Sequence, residues 1–178
     1  MKKNRGFTLL ELIAVIALIA IMAALAIPNY LAWLPGYRLD GAARSLRSDL
    51  RLTRMRAVSE GRTFTVTFDV AAGRYSIYAG QSLDEENRVK TVDMGQTFTG
   101  VEYGYLPGKS PSGSRIKRPV TFSGRPPKVS FRPSGMSNKA GSVYLTTSGN
   151  TDVERQRALT VLLTGRVRLY RRLAGGWE

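Results

Sequence analysis

The sequence contains no cysteine and no histidine. These absences exclude disulfides, thiol chemistry, zinc sites built on Cys or His, and any nucleophile activated by a histidine. Acidic residues are also scarce, because 13 Asp and Glu stand against 27 Lys and Arg in 178 residues, which gives a net charge of +14. So basic a chain favours an anionic partner, such as nucleic acid, an acidic protein or a membrane surface. No set of residues forms a catalytic pattern, and we predict no enzyme activity, no metal and no cofactor.

Hydrophobic residues are concentrated near the N-terminus. Residues 7–27 form a 21-residue apolar run that only Thr8 and Glu11 interrupt. As a helix rising 1.5 Å per residue, the run would reach about 30 Å, which is enough to cross the core of a bilayer. Three basic residues precede it: Lys2, Lys3 and Arg5. Because basic flanks stay in the cytoplasm, we expect the N-terminus inside and the chain after Pro28 outside.

Two simpler interpretations of this run are open. One is an ordinary secretory signal peptide with cleavage near Ala24-Leu25-Ala26, which would release a secreted β domain. The other is a plain single-pass anchor. The run is longer than the 7–15 apolar residues of a typical signal peptide, and an acid inside it is costly. Both features favour a more specialised segment.

The N-terminal motif resembles a known leader. Lys2-Lys3-Asn4-Arg5-Gly6 followed by Phe7-Thr8-Leu9-Leu10-Glu11 is similar to the cleavage site of type IV prepilins and of type II secretion pseudopilins. The resemblance implies that residues 1–6 are a leader, that a prepilin peptidase cuts after Gly6, and that the new N-terminal Phe7 is methylated. It also implies assembly roles for Glu11 and for the helix proline Pro28.

Glu11 also has a physical reason for an assembly role. A carboxylate within lipid needs a cation or must take up a proton. Cleavage after Gly6 would create a cation at the Phe7 amine, so Glu11 of one subunit is expected to pair with Phe7 of its neighbour in a filament. Such a buried pair sets the register of packing more than it adds stability.

The apolar pattern continues beyond the run at spacings of three and four, in Leu39, Ala43, Leu46, Leu50, Thr53 and Ala57. This periodicity predicts a helix over residues 7–60, bent at Pro28 and at Pro35-Gly36. Four arginines lie off the stripe: Arg44, Arg47, Arg51 and Arg54. We interpret them as a solvated or filament-facing surface rather than a binding site.

From Gly61 the period changes to two. Phe64, Val66 and Phe68 alternate with threonines, which predicts a half-buried strand, and Ala71-Ala72-Gly73 turns the chain into a hairpin partner at 75–78. Further strands are predicted at 88–92, 97–106, 129–131, 142–147, 157–163 and 166–170. Residues 107–127 are predicted as an exposed loop with at most a short strand around Val120–Phe122. The predicted fold is therefore α+β. A long N-terminal helix precedes a small antiparallel β domain over 61–178, built as a sandwich or paired sheets.

Two C-terminal stretches resemble GspH/FimT-type minor pilins. One is Val129–Gly135, and the other is Ala158–Leu163 followed by Thr164-Gly165-Arg166-Val167-Arg168. In the transformation-associated branch of that family, the glycine–arginine–x–arginine segment is implicated in binding incoming DNA. The resemblance thus implies either a secretion subunit or a DNA-binding one.

The last predicted strand places Arg166, Arg168, Tyr170 and Arg172 on one face, which we call the arginine row. At roughly 3.3 Å per residue, its arginines recur about every 7 Å, close to the spacing of phosphates along a nucleic-acid strand. Guanidinium groups bind phosphate bidentately, and Tyr170 would add stacking on exposed bases. The alternative is an edge strand whose charge protects it against aggregation.

The sequence therefore predicts a minor pilin or pseudopilin in a type II secretion or type IV pilus filament. The resemblance implies as partners other pilins, the prepilin peptidase and the inner-membrane assembly platform. The chain would cross the bacterial inner membrane once, with the β domain in the periplasm. The alternative function is DNA uptake through the arginine row, with DNA as a further partner.

Overall fold

The computed structural model describes residues 8–178, so the predictions for Gly6 and Phe7 lie outside the described residues. The chain forms two compact units, and the boundary between them lies between Pro35 and Gly36. Helix α1 (Leu9–Ser59) begins in the first unit and ends in the second.

In the first unit α1 is an apolar helix with its side chains exposed. Leu10 and Leu25, for example, are 80% and 74% exposed. Pro28 and Pro35 both lie inside α1, which continues through them. The helix is long and apolar enough to cross a membrane. Apolar side chains on every face are typical of a helix surrounded by lipid or by other helices rather than by water.

In the second unit α1 buries one face. All six residues of the predicted stripe are buried, and Ala42 and Asp49 join them. This face packs into one core with both β-sheets. Fully burying a leucine side chain contributes about 1.5–3 kcal/mol. The three buried leucines Leu39, Leu46 and Leu50 therefore anchor this half of the helix.

The strands form two antiparallel sheets. In chain order they are β1 (Phe64–Asp69), β2 (Arg74–Ala79), β3 (Arg88–Asp93), β4 (Val101–Tyr103), β5 (Lys128–Phe131), β6 (Gly141–Thr147), β7 (Gln156–Val161), β8 (Val167–Leu173) and β9 (Gly176–Trp177). The first sheet has the order β3-β2-β1-β5, and the second has the order β4-β6-β7-β8-β9. The prediction of a long helix followed by paired antiparallel sheets is confirmed.

Three local predictions are wrong. The strand expected at 97–106 is only β4, because a short helix α2 (Met94–Thr97) precedes it and the Asp93 carboxylate caps that helix by accepting from the Gln96 N–H at 2.9 Å. Strand β1 is buried on both faces rather than one. Thr65 is only 1% exposed, and its buried hydroxyl is satisfied because it donates to the Gly80 carbonyl at 2.7 Å and bonds the Ser130 hydroxyl.

The third correction concerns residues 107–127, which are not simply an exposed loop, although Val120 pairs with Val143 of β6 in an isolated β-bridge where the short strand is expected. Ile116, Val120 and Phe122 in this stretch are each less than 5% exposed. Ile116 packs with Tyr144 of β6 in a second apolar cluster that is separate from the main core. Tyr170 and Trp177 pack against this second cluster. Glycine, proline and basic residues dominate the composition here, but a few apolar side chains determine the packing.

Asp49 ties the helix to the first sheet. Its carboxylate accepts a hydrogen bond from the Tyr75 hydroxyl of β2 at 2.5 Å and pairs with the Lys90 amine of β3 at 2.7 Å. Burial raises the pKa of Tyr75 well above its ordinary value, and the hydrogen bond to Asp49 raises it further. The tyrosine therefore stays protonated and acts as a donor.

Candidate functional site

The first candidate site is the N-terminal turn of α1. The Glu11 N–H donates to the Thr8 hydroxyl at 3.2 Å, and the Glu11 side chain is exposed among exposed leucines. Helix N-termini carry partial positive charge and favour an acid in the first turn. The carboxylate is thus accessible to a cation from another chain. Because Gly6 and Phe7 lie outside the described residues, cleavage and methylation stay predictions.

The second candidate site is the turn between β7 and β8, which Arg54 of α1 holds. The Arg54 Nε donates to the Gly135 carbonyl at 2.7 Å, and its Nη2 donates to the Thr164 carbonyl at 3.4 Å. One guanidinium therefore links the helix to the loop after β5 and to the β7–β8 turn. These are the two stretches whose sequences resemble minor pilins.

Gly165 is required at this turn for two reasons. Its φ is +74°, a conformation that residues with a side chain rarely adopt. A Cβ added there would lie 2.0 Å from the Gly135 carbonyl oxygen and 2.7 Å from the Arg54 Nε. The glycine thus permits the close contact between the two turns.

The arginine row divides into two parts. Arg166 and Arg168 are exposed, and Arg166 immediately precedes β8. The Arg172 guanidinium is engaged: it donates to the Gln156 side-chain oxygen at 2.6 Å, to the Leu106 carbonyl at 3.0 Å and to the Pro107 carbonyl at 2.8 Å. It therefore anchors the loop that begins at residue 104.

Tyr170 also has a packing role, since it lies against the apolar cluster on the outer face of the second sheet. Its hydroxyl is 3.4 Å from the Arg168 guanidinium. Of the arginines in the row, only Arg166 and Arg168 therefore present guanidinium groups that make no contact with a carbonyl or a carboxylate among residues 8–178.

Arg166 also borders a shallow hollow of about 280 Å³ between α1 and the β7–β8 turn. We call it the arginine pocket; its lining residues are Arg51, Arg54, Met55, Gly165, Arg166 and Val167. Three arginines thus line the hollow together with apolar and glycine residues. Such a site is suited to a single anionic group, because arginine donates in a fork that matches an oxyanion.

Two other arginines of the second unit, the buried Arg157 and the exposed Arg171, share one acidic partner. Arg157 and Arg171 are paired across β7 and β8 and both reach Asp40 of α1, at 2.6 and 3.1 Å. Burial by itself raises the pKa of Asp40, but the hydrogen bond and charge of Arg157, with those of Arg171, outweigh it, so this pKa lies below the ordinary value. Asp40 is therefore ionised at neutral pH.

Sequence reasoning assigned Arg54 to a solvated face and did not identify its link to Gly135 and Thr164. Those residues lie 81 and 110 positions away in the chain, and helical periodicity reports only which face of the helix a residue occupies. The one available signal was that both glycine-containing stretches resemble the same family of minor pilins.

Within residues 8–178, no cluster of three or more acidic side chains is placed to hold a metal ion.

Comparison with protein families gives two matches. The family described as Type II transport protein GspH matches residues 42–165, which is more than half of the chain. The prokaryotic N-terminal methylation motif matches residues 1–27. No curated protein sequence matches the chain.

Solved structures with a similar fold include a minor pseudopilin and a type IV minor pilin. The minor pseudopilin EpsH from the type 2 secretion system of Vibrio cholerae is 16% identical, with a TM-score of 0.52, over 75% of this chain and 97% of that one. The type IV minor pilin FimU of Pseudomonas aeruginosa is 18% identical, with a TM-score of 0.51, over 79% of this chain and 92% of that one. At these identities the likeness establishes the fold.

Proposed function

The chain belongs to the GspH family of type II transport proteins, and on this premise we propose that it is a minor pseudopilin or minor pilin. It would serve as a non-enzymatic subunit of a type II secretion or type IV pilus filament. The observation that carries the proposal is the methylation motif over residues 1–27 joined to a GspH domain over residues 42–165 in one chain. The exposed apolar half of α1 supports it, because such a helix needs lipid or neighbouring helices around it.

The proposed life cycle begins in the inner membrane. The basic residues before Phe7 hold the N-terminus in the cytoplasm, and the β domain lies in the periplasm. A prepilin peptidase removes residues 1–6 and methylates Phe7. The inner-membrane assembly platform then moves the subunit from the membrane into the filament, where its partners are other pilins.

Within the filament we assign Glu11 to pairing with the Phe7 amine of a neighbouring subunit. The exposed carboxylate in the first turn of α1 supports this assignment. In apolar surroundings the carboxylate must either pair with a cation or take up a proton, and the Phe7 amine would supply the cation. We also assign an assembly role to Pro28, which lies inside α1 and lacks the N–H that would bond the preceding turn.

Processing is tested by mass spectrometry of the protein from its native membrane. We expect a mature chain that begins at Phe7 and carries one methyl group on the terminal nitrogen. Replacing Gly6 by a bulky residue should leave uncut precursor, because the peptidase must accommodate this position. A mature chain that begins at Ile27 would instead establish signal-peptide cleavage and exclude the filament function.

DNA binding in uptake is the second candidate function. The observation that favours it is the pair Arg166 and Arg168, which are exposed and form no ion pair within the described residues. Phosphate groups would satisfy these guanidiniums without any change in the fold. Arg172 is not available to bind phosphate, because its guanidinium already donates to oxygens of this chain. Only these two arginines of the row are therefore available.

We expect the detergent-solubilised chain to bind duplex DNA with little sequence preference if this second function holds. Arg166→Ala combined with Arg168→Ala should then weaken binding at least about tenfold and lower the log–log salt slope by about 0.9 for each phosphate that the variant no longer neutralises. The matched control is Lys109→Ala with Lys117→Ala, which removes two exposed loop charges. Equal losses of affinity in the two double variants, measured by fluorescence anisotropy, would indicate diffuse attraction only.

A further inference from the structure

The arginine pocket concentrates positive charge that the chain does not neutralise. Six arginines elsewhere in the β domain have acidic partners: Arg62 with Glu60, Arg74 with Asp69, Arg88 with Glu85, Arg155 with Asp152, and both Arg157 and Arg171 with Asp40. Arg51 and Arg166 are exposed and form no ion pair with any carboxylate in residues 8–178. The pocket is therefore suited to an anion that another molecule supplies.

Arg54 makes the pocket rigid before any ligand arrives. Two of its five N–H donors bond to the carbonyls of Gly135 and Thr164. These bonds hold the guanidinium of the half-buried Arg54 in place. Its remaining donors make no hydrogen bond among the described residues, and Arg54 lines the hollow. A cation already fixed in position loses little conformational entropy on binding, which increases its affinity for an anion.

The surroundings of the pocket favour a protein partner over nucleic acid. Met55 lines the pocket and is 62% exposed. Val58 lies beside Gly135, and Leu163 immediately precedes Thr164, and both side chains are more than half exposed. Methionine and arginine are enriched at protein–protein interfaces, whereas surfaces that bind nucleic acid are more polar.

We propose that the arginine pocket binds a carboxylate side chain of a different neighbouring subunit in the filament, so that it acts as an interface site. The inference rests on the proposed filament function. The partner is expected to place an Asp or Glu within an apolar surface that covers Met55. A second copy of this chain is a poor occupant, because two chains of charge +14 repel each other and several acids of this one are already paired.

The first arm of the test uses zero-length cross-linking in isolated filaments. A carbodiimide joins an amine directly to a carboxylate that contacts it, so Arg51→Lys places a reporter amine in the pocket and keeps the charge. Arg56→Lys is the matched control, because Arg56 is equally exposed on α1 but does not line the pocket. Mass spectrometry should find an amide bond from position 51 to an Asp or Glu of another subunit, and none from position 56.

The second arm measures incorporation by quantitative blotting of the filament fraction. Arg51→Glu should lower the amount of this chain in filaments at least about tenfold, since it places two carboxylates together, while Arg56→Glu should stay within about twofold. Nuclease treatment should change neither result. If the unchanged chain is absent from filaments, the proposed function itself fails.

If the unchanged chain is present, three results would overturn only the interface site. They are equal behaviour of the variants at positions 51 and 56, an adduct exclusively to a second copy of this chain, and nuclease-sensitive incorporation. The last of these would point to nucleic acid as the occupant.

Discussion

Gly165→Ala is expected to destabilise the second unit by about 3 kcal/mol. The left-handed backbone conformation costs an alanine about 1–2 kcal/mol, and forcing a Cβ into a filled space adds about 1–3 kcal/mol. Because the nearest atom is the Gly135 carbonyl oxygen, 2.0 Å from the added Cβ, a backbone segment must move rather than a flexible side chain. Urea denaturation of the detergent-solubilised chain, followed by circular dichroism, measures the change in the free energy of unfolding.

Two other glycines separate the causes of this effect. Gly73 also has a positive φ, of +66°, but a Cβ there meets nothing within 4 Å, so Gly73→Ala should cost only about 1–2 kcal/mol. Gly175 has neither feature, and Gly175→Ala should change stability by less than about 0.5 kcal/mol. If Gly165→Ala costs no more than Gly73→Ala, the two turns are not in the close contact described.

Asp40→Asn is expected to cost about 2–3 kcal/mol at neutral pH. The substitution leaves the guanidinium of Arg157, whose side chain is only 6% exposed, without a counter-charge. Breaking a buried pair from one side costs about 3–5 kcal/mol, and we reduce the figure because Asp40 itself is 21% exposed. The same denaturation experiment measures the loss of stability.

The effect of Asp40→Asn should depend on pH in a defined direction. The pKa of Asp40 in the folded chain lies below that of the unfolded chain, so the unfolded chain takes up the proton first as the pH falls. The stability difference between the parent chain and Asp40→Asn should therefore be complete above about pH 5 and shrink below about pH 4. Glu60→Gln, which removes a surface partner of Arg62, is the control and should cost less than about 1 kcal/mol at any pH.

The helix and most strands were predictable because their signals are local. A stripe at spacings of three and four depends only on 3.6 residues per turn, and it identified the buried face of α1 from Leu39 to Ala57. Alternation over Phe64–Phe68 and the glycine turn at Gly73 identified the β1–β2 hairpin for the same reason. The local pattern did not predict the short helix α2 that Asp93 caps. It also did not predict that Thr65 is buried, with its hydroxyl bonded to the Gly80 carbonyl.

The partners of the arginines were not predictable, because they depend on which distant residues the fold places next to each guanidinium. Period two places Arg168 and Arg172 on the same face of β8, but only the loop from residue 104 decides that Arg172 is engaged while Arg168 is exposed. Arg51 and Arg54 belong to one predicted basic face of α1, but only Arg54 reaches the carbonyls of Gly135 and Thr164.

The sequence by itself determined the long apolar helix, the N-terminal methylation motif, the α+β class and the family, since each depends on the residue pattern along the chain. Only the tertiary structure decided which cations pair with acids among the described residues and which do not. The physical reason is that such pairing acts over a few ångströms between residues as far apart in the chain as Asp40 and Arg157 or Arg54 and Thr164. Their approach depends on how the sheets pack on the helix, which no local pattern specifies.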